Sequence, residues 1–216
     1  MAVKTAQYIF NGRTINLTYN STSGKWEATV TAPSKSSYSQ TDHVLGGTVK
    51  ATDVAGNTTT VDQSHATLGS SLKIRVKEKV APVISITAPT ADSYITNATP
   101  TIKFTVTDAD SGVNSGTIAM KLDGTAVTVT KTAITGGYEC SYKPTTALKD
   151  GSHTISVTAS DNDGNAASAK TATFTVDTVP PTLTITAPEE GLVTNKTTIT
   201  VTGKTDDATS KPVTVT

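Results

Sequence analysis

A ten-residue phrase of this chain returns with six of its residues unchanged. Val80-Ala81-Pro82-Val83-Ile84-Ser85-Ile86-Thr87-Ala88-Pro89 returns as Val179-Pro180-Pro181-Thr182-Leu183-Thr184-Ile185-Thr186-Ala187-Pro188, and Val179 lies 99 residues after Val80. A chain that repeats at about 100 residues is built from sandwich-sized β domains in tandem, each with its own thin core. The 216 residues therefore read as two domains and the start of a third. One unit is written out whole, from Val80 to the closing Phe174-Thr175-Val176-Asp177.

The local pattern is extended throughout. Thr101-Ile102-Lys103-Phe104-Thr105-Val106-Thr107 and Thr171-Ala172-Thr173-Phe174-Thr175-Val176 place an apolar residue at every second position, the period of a half-buried strand. β-branched Thr favours this backbone and keeps the outer face wet. Seven strands are expected in the whole unit, near 83–88, 101–107, 117–122, 126–131, 137–142, 153–160 and 170–177. Asp123-Gly124 and Asp161-Asn162-Asp163-Gly164-Asn165 are hairpin turns between them. The expected core is Ile84, Ile86, Ile102, Phe104, Val106, Met120, Leu122, Val127, Val129, Tyr138, Cys140, Tyr142, Ile155, Val157, Phe174 and Val176. Seven strands in about 100 residues make an immunoglobulin-like sandwich, so the fold class is all-β, a tandem array of such domains.

Residues 1–79 match the later part of that unit. Asn11-Gly12 falls on Asp123-Gly124 and Trp26 on Tyr138, both 112 residues apart, and Asp53-Val54-Ala55-Gly56-Asn57 falls on Asp161–Asn165 at 108. This segment is either a divergent, self-sufficient six-stranded domain or a sandwich without its first two strands. Residues 179–216 have the opposite shape, with strands expected at 183–187 and 197–202 that match those first two. The expected domains are 1–79, 80–178 and 179–216, with prolines Pro82, Pro180 and Pro181 stiffening the joints. An open sandwich recruits strands, so head-to-tail association of copies is one expectation.

Eighteen basic residues balance eighteen acidic ones without a Lys/Arg run, which speaks against nucleic acid and anionic membrane as partners. Cys140 is the sole cysteine, so no intrachain disulfide forms, and its alternation with Tyr138 and Tyr142 marks it as a core thiol. No apolar run reaches the roughly 18 residues of a membrane span, and Met1–Gln7 lacks the apolar core of a signal peptide. Synthesis in a cytoplasm without general secretory export is the expectation.

The loop carboxylates are the one constellation with metal chemistry. Asp108 and Asp110, and Asp161 and Asp163, cluster oxygen ligands of the kind calcium takes. The same residues serve tight turns, and the turn role comes first, so no metal or cofactor is assigned and calcium is the secondary expectation. His43, His65 and His153 lie apart in sequence without a nucleophile or metal motif, and no enzyme is expected. His153, beginning a strand, is expected to be solvated; Trp26 is expected in a core, and Tyr38 on the surface of a loop.

Asp-x-x-Gly-Asn before a Thr-rich last strand, then Asp177-Thr178-Val179-Pro180-Pro181 and Ile185-Thr186-Ala187-Pro188, resembles the bacterial immunoglobulin-like repeats. The resemblance covers 80–216 well and 1–79 in part. It implies a non-catalytic spacer, decoration or weak binder of glycans and cell surfaces. Such repeats occur in bacteriophage virions and in bacterial surface adhesins. The missing export signal favours a structural protein of a phage virion, most plausibly its tail, made in the host cytoplasm and released by lysis. It would contact other virion proteins and a host-surface glycan or protein. The alternative is a fragment of a bacterial cell-surface adhesin or glycan-binding protein.

Overall fold

The computed structural model describes residues 2–206. They form an all-β protein whose only helical pieces, among the described residues, are short 3-10 turns. The chain divides into two compact units. One gathers Met1–Pro82 with Thr107–Asn114 and Ser160–Ala167; the other holds Val83–Val106, Ser115–Ala159 and Ser168–Thr216.

In the first unit the strands are β1 (Val3–Phe10), β2 (Arg13–Asn20), β3 (Lys25–Glu27), β4 (Leu45–Asp53), β5 (Thr58–Asp62) and β6 (Lys73–Ile74). All six belong to one sheet, in the order β3-β2-β1-β4-β5 with β6 on β4. Asn11 and Gly12 take φ of 50° and 73°, the left-handed pair that a two-residue hairpin between right-twisted strands requires. That turn pairs Phe10 with Arg13 and Tyr8 with Ile15, while β4 sets Gly47 beside Phe10 and Val49 beside Tyr8. One face therefore carries Ala6, Tyr8, Phe10, Ile15, Leu17 and Val49; the other carries Gln7, Asn16, Thr48 and Lys50. Phe10 and Ala6 are buried at 4% and 5% exposure, and the Tyr8 ring stacks on Phe10 at 5.5 Å.

The second unit contains β7 (Val83–Ala88), β8 (Ser93–Ile95), β9 (Ile102–Thr107), β10 (Ala119–Leu122), β11 (Thr125–Val127), β12 (Thr130–Ile134), β13 (Gly137–Tyr142), β14 (Gly151–Thr158) and β15 (Lys170–Val176). They make two sheets, β11-β10-β14-β15-β8 and β12-β13-β9-β7. Met120, Leu122, Ile155, Val157, Phe174 and Val176 from the first sheet and Ile84, Ile102, Phe104, Val106 and Cys140 from the second are all below 9% exposed. These were the residues that alternation placed inward. The remaining expected core positions, Ile86, Val127, Val129, Tyr138 and Tyr142, are half-buried, and Val113, Ile118 and Ala159 are buried in addition.

Two differences from the sequence pattern have physical causes. The strand expected at 126–131 breaks after Val127, because the chain leaves the first sheet as β11 and enters the second as β12. β8 is too short to show a period, yet it runs parallel to β15, with Phe174 beside Ser93.

Residues beyond the repeat form a hairpin of β16 (Thr182–Ala187) and β17 (Thr202–Asp206). β17 begins where the expected strand at 197–202 ends. Its position is that of β9 displaced by the 99-residue repeat, so the repeat located it better than local alternation. Positions 207–216 of the expected third domain lie outside the described residues.

Candidate metal centre

Two turns of one design frame the site. In the first, Asp161 N–H donates to the Asn165 carbonyl at 3.1 Å, while Asn165 returns its backbone N–H to Asp161 Oδ1 at 2.7 Å and its amide to Oδ2 at 2.6 Å. Gly164 supplies the positive φ, 95°, on which the turn closes. In the second, Asp108 Oδ1 accepts the N–H groups of Asp110 and Gly112 at 3.0 and 2.7 Å. Asn162 N–H donates to the Gly112 carbonyl at 2.9 Å, and the Asn162 amide to that of Ser111 at 2.9 Å, so the two turns are locked together.

A third segment joins them. Glu78 accepts the Ser111 N–H through Oε1 at 2.7 Å, its own N–H donates to Asp163 Oδ2 at 3.0 Å, and its carbonyl accepts the Asn165 amide at 3.2 Å. Lys77 Nζ donates to the Asp163 carbonyl at 2.9 Å. The result brings one carboxylate oxygen each from Glu78, Asp108 and Asp161 within 4.8 Å of one another. All three residues are largely withdrawn from water, at 7%, 9% and 1% exposure. Like charges at that separation repel by about 3 kcal/mol per pair at an effective dielectric of about 20. Among the described residues no lysine or arginine nitrogen lies within 4.0 Å of these carboxylates; the ion pair found is elsewhere, between His153 and Asp123.

These residues fit a hard cation. Carboxylate and hydroxyl oxygens are the donors calcium takes, and Ser111 Oγ is buried beside Glu78 without any hydrogen-bond partner. A buried hydroxyl left unpaired costs about 1–3 kcal/mol, which coordination would offset. Glu78, Asp108 and Asp161 would hold the ion; bound, it supplies positive charge and a crosslink among three chain segments.

Of the four sequence candidates, Asp108 and Asp161 meet in the cluster. Asp110 and Asp163 do not ligate there: Asp110 Oδ2 takes the Ser36 N–H at 2.9 Å and Asp163 holds the Glu78 backbone. Glu78 was not foreseen. Its signal was the repeat, because Asp177 stands 99 residues later at the equivalent place.

Other expectations change. His153 is not solvated but buried at 8% exposure, with Nδ1 on Asp123 at 2.7 Å, Nε2 on the Lys149 carbonyl at 2.8 Å and its ring 5.5 Å from that of Phe174. Tyr38 is half-buried and stacked on His43 at 4.2 Å. Trp26 is half-buried and tilted against Tyr19 at 5.6 Å. Cys140 is fully buried, and burial pushes its thiol pKa up.

Comparison with known families matches residues 82–178 to the bacterial Ig-like domain. This stretch is a bacterial Ig-like domain. A second match, to glucodextranase domain B, covers 181–216, so the chain carries Ig-like repeats as its periodicity requires. No curated protein matches the chain. Similar solved structures include the fibronectin(III)-like modules of Clostridium thermocellum CbhA, at 20% identity over 81% of this chain and 78% of that one, TM-score 0.36. A bacterial ice-binding adhesin matches at 24% identity, covering 86% of this chain and 57% of the other, TM-score 0.36. A Ca²⁺-stabilized adhesin of an Antarctic bacterium matches at 22%, covering 85% and 43%, TM-score 0.35. Glu78 precedes the Ig-like domain, whereas Asp108 and Asp161 belong to two of its turns.

Proposed function

We propose that the chain is a non-catalytic structural segment of a bacterial surface protein of the adhesin type, in which Ig-like domains extend a binding end outward and calcium stiffens the entry into residues 82–178. The carrying observation is the convergence of Glu78, from the segment leading into the domain, with Asp108 and Asp161 from its turns. A spacer needs its joints fixed, and one ion shared by the entering segment and two turns fixes this joint at three points. Extracellular modules work with calcium sites of about 10⁻⁴–10⁻³ M affinity, which are filled outside a cell and empty within it. The match of residues 82–178 to a bacterial Ig-like domain supports a bacterial surface setting. Among the described residues no helix is long and apolar enough to cross a membrane.

The test is peptide mass spectrometry on a producing culture separated into cell-surface material and assembled particles. Recovery of the chain with the cell surface is expected. Stoichiometric recovery in phage particles would overturn the adhesin setting in favour of a virion.

A further inference from the structure

The apolar face of the first unit's sheet carries a cation. Arg13 pairs with Phe10 and stands two positions before Ile15, so it leaves the sheet on the side of Tyr8, Phe10 and Ile15 and not among Gln7, Asn16 and Thr48. The chain that follows β3 crosses that side, running without strand or helix from Thr29 to Ser36. Sheet and segment together line a hollow of about 1090 Å³.

The covering segment is fastened at its end. Ser36 and Ser37 are 8% and 2% exposed; the Ser36 N–H donates to Asp110 Oδ2 at 2.9 Å, the Ser37 N–H donates to the Val76 carbonyl at 2.9 Å, and Ser37 Oγ accepts the Val76 N–H at 3.0 Å. A recess whose wall is held by buried hydrogen bonds is largely preformed, so little binding free energy goes into ordering it.

The lining sets the chemistry of the ligand. Ile15, Val30 and Leu45 are half-buried and give an apolar patch, while Thr29, Thr31, Ser34 and Gln40 bring hydroxyls and an amide. Arg13 and Lys35 add two cations, and among the described residues no carboxylate oxygen lies within 4.0 Å of either. Asp110, the one carboxylate of the lining, is occupied by the Ser36 N–H. An apolar ligand would leave both cations unmatched, and a neutral sugar would do the same. An acidic peptide brings charge but lacks the hydroxyls that the Thr and Ser wall answers. A sugar acid meets all three demands: C–H faces for the apolar patch, hydroxyls for the wall and a carboxylate for the cations. Small-molecule sites span about 300–1,000 Å³, so a hollow of this size has room for several sugar rings.

We propose that this hollow binds a short acidic oligosaccharide, with the carboxylate held by Arg13 and Lys35 and the hydroxyls by the segment from Thr29 to Ser34. The planar guanidinium offers a carboxylate two parallel N–H donors, and the ammonium adds a point charge beside it.

The test is isothermal titration calorimetry of the full chain with trigalacturonate and with sialyllactose, each beside its neutral counterpart, galactotriose and lactose, and with triglutamate. At least one acidic saccharide is expected to bind, and its neutral counterpart about tenfold or more weaker. Arg13→Ala and Lys35→Ala, both at exposed side chains, are expected to keep the urea midpoint and to weaken that binding about tenfold each, the loss of one charged hydrogen bond. Absence of binding by both acidic saccharides at millimolar concentration overturns the proposal, as does equal binding of the neutral counterpart or binding that both variants keep. Tighter binding of triglutamate than of either saccharide overturns it in favour of an acidic peptide.

Discussion

Asn165 holds Asp161 by both ends, donating its backbone N–H to one carboxylate oxygen at 2.7 Å and its side-chain amide to the other at 2.6 Å. Asn57 and Asp53 repeat the arrangement at 2.9 Å for both bonds, but on the surface. One motif therefore occurs in two dielectric settings, and only the buried copy borders the acidic cluster.

Asn165→Ala is expected to cost about 1–3 kcal/mol, because it strips a donor from a carboxylate 1% exposed and another from the Glu78 carbonyl. Asn57→Ala leaves Asp53 to water and is expected to shift the unfolding midpoint far less. Urea unfolding of both variants checks the contrast.

His153 makes the fold mildly acid-favouring. A carbonyl and a carboxylate can only accept, so these two partners favour the doubly protonated, charged imidazole. Burial pulls its pKa down, but the bonds to Asp123 and the Lys149 carbonyl outweigh that and raise it above 6.5. A raised folded pKa adds stability that is complete below pH 6.5 and is lost as pH rises through the folded value. With Asp123 half-exposed, the contribution is about 1 kcal/mol or less. Urea midpoints across neutral pH should fall in the wild type and flatten in Asp123→Asn.

Cys140 is fully buried, and its raised thiol pKa lowers the thiolate fraction further. Labelling by a thiol reagent should therefore proceed at the rate at which the Ig-like domain opens. Rapid labelling of the native chain would contradict the core assignment.

Gly69 stands where a Cβ would come 2.4 Å from the Gln63 carbonyl oxygen, a backbone atom that cannot swing aside. Gly69→Ala should destabilise the first unit by about 1–3 kcal/mol while leaving the Cys140 labelling rate unchanged.

Much of this was legible in the chain. Alternation identified Phe104, Val106, Ile155, Val157 and Phe174 as core, and Asp123-Gly124 and Asn11-Gly12 fixed their hairpins because few residues accept positive φ. His153 was misplaced because a strand edge in sequence is not an edge in space: Asp123, thirty residues away, closes over it. The metal centre was half visible. Asp108 and Asp161 advertise themselves through turn chemistry, but Glu78 sits in a Lys-Glu-Lys run that reads as a solvated linker, and its one signal in the chain is Asp177 at the equivalent place of the repeat. That all six strands of the first unit pair into one sheet was hidden too, since strand pattern tells which face is apolar and not which strands are neighbours.

The account's central claim is that calcium joins Glu78 to Asp108 and Asp161, and calorimetry of the full chain with calcium or with chelator tests it most directly, beside Glu78→Gln. The wild type should melt higher in calcium, by about 2.7 kcal/mol of stability when the ion is at about 100 times its Kd. Glu78→Gln should lose that increment and, in chelator, equal or exceed the wild type, because one of three repelling charges is gone. Identical melting in calcium and chelator, or an increment that Glu78→Gln keeps, would contradict it.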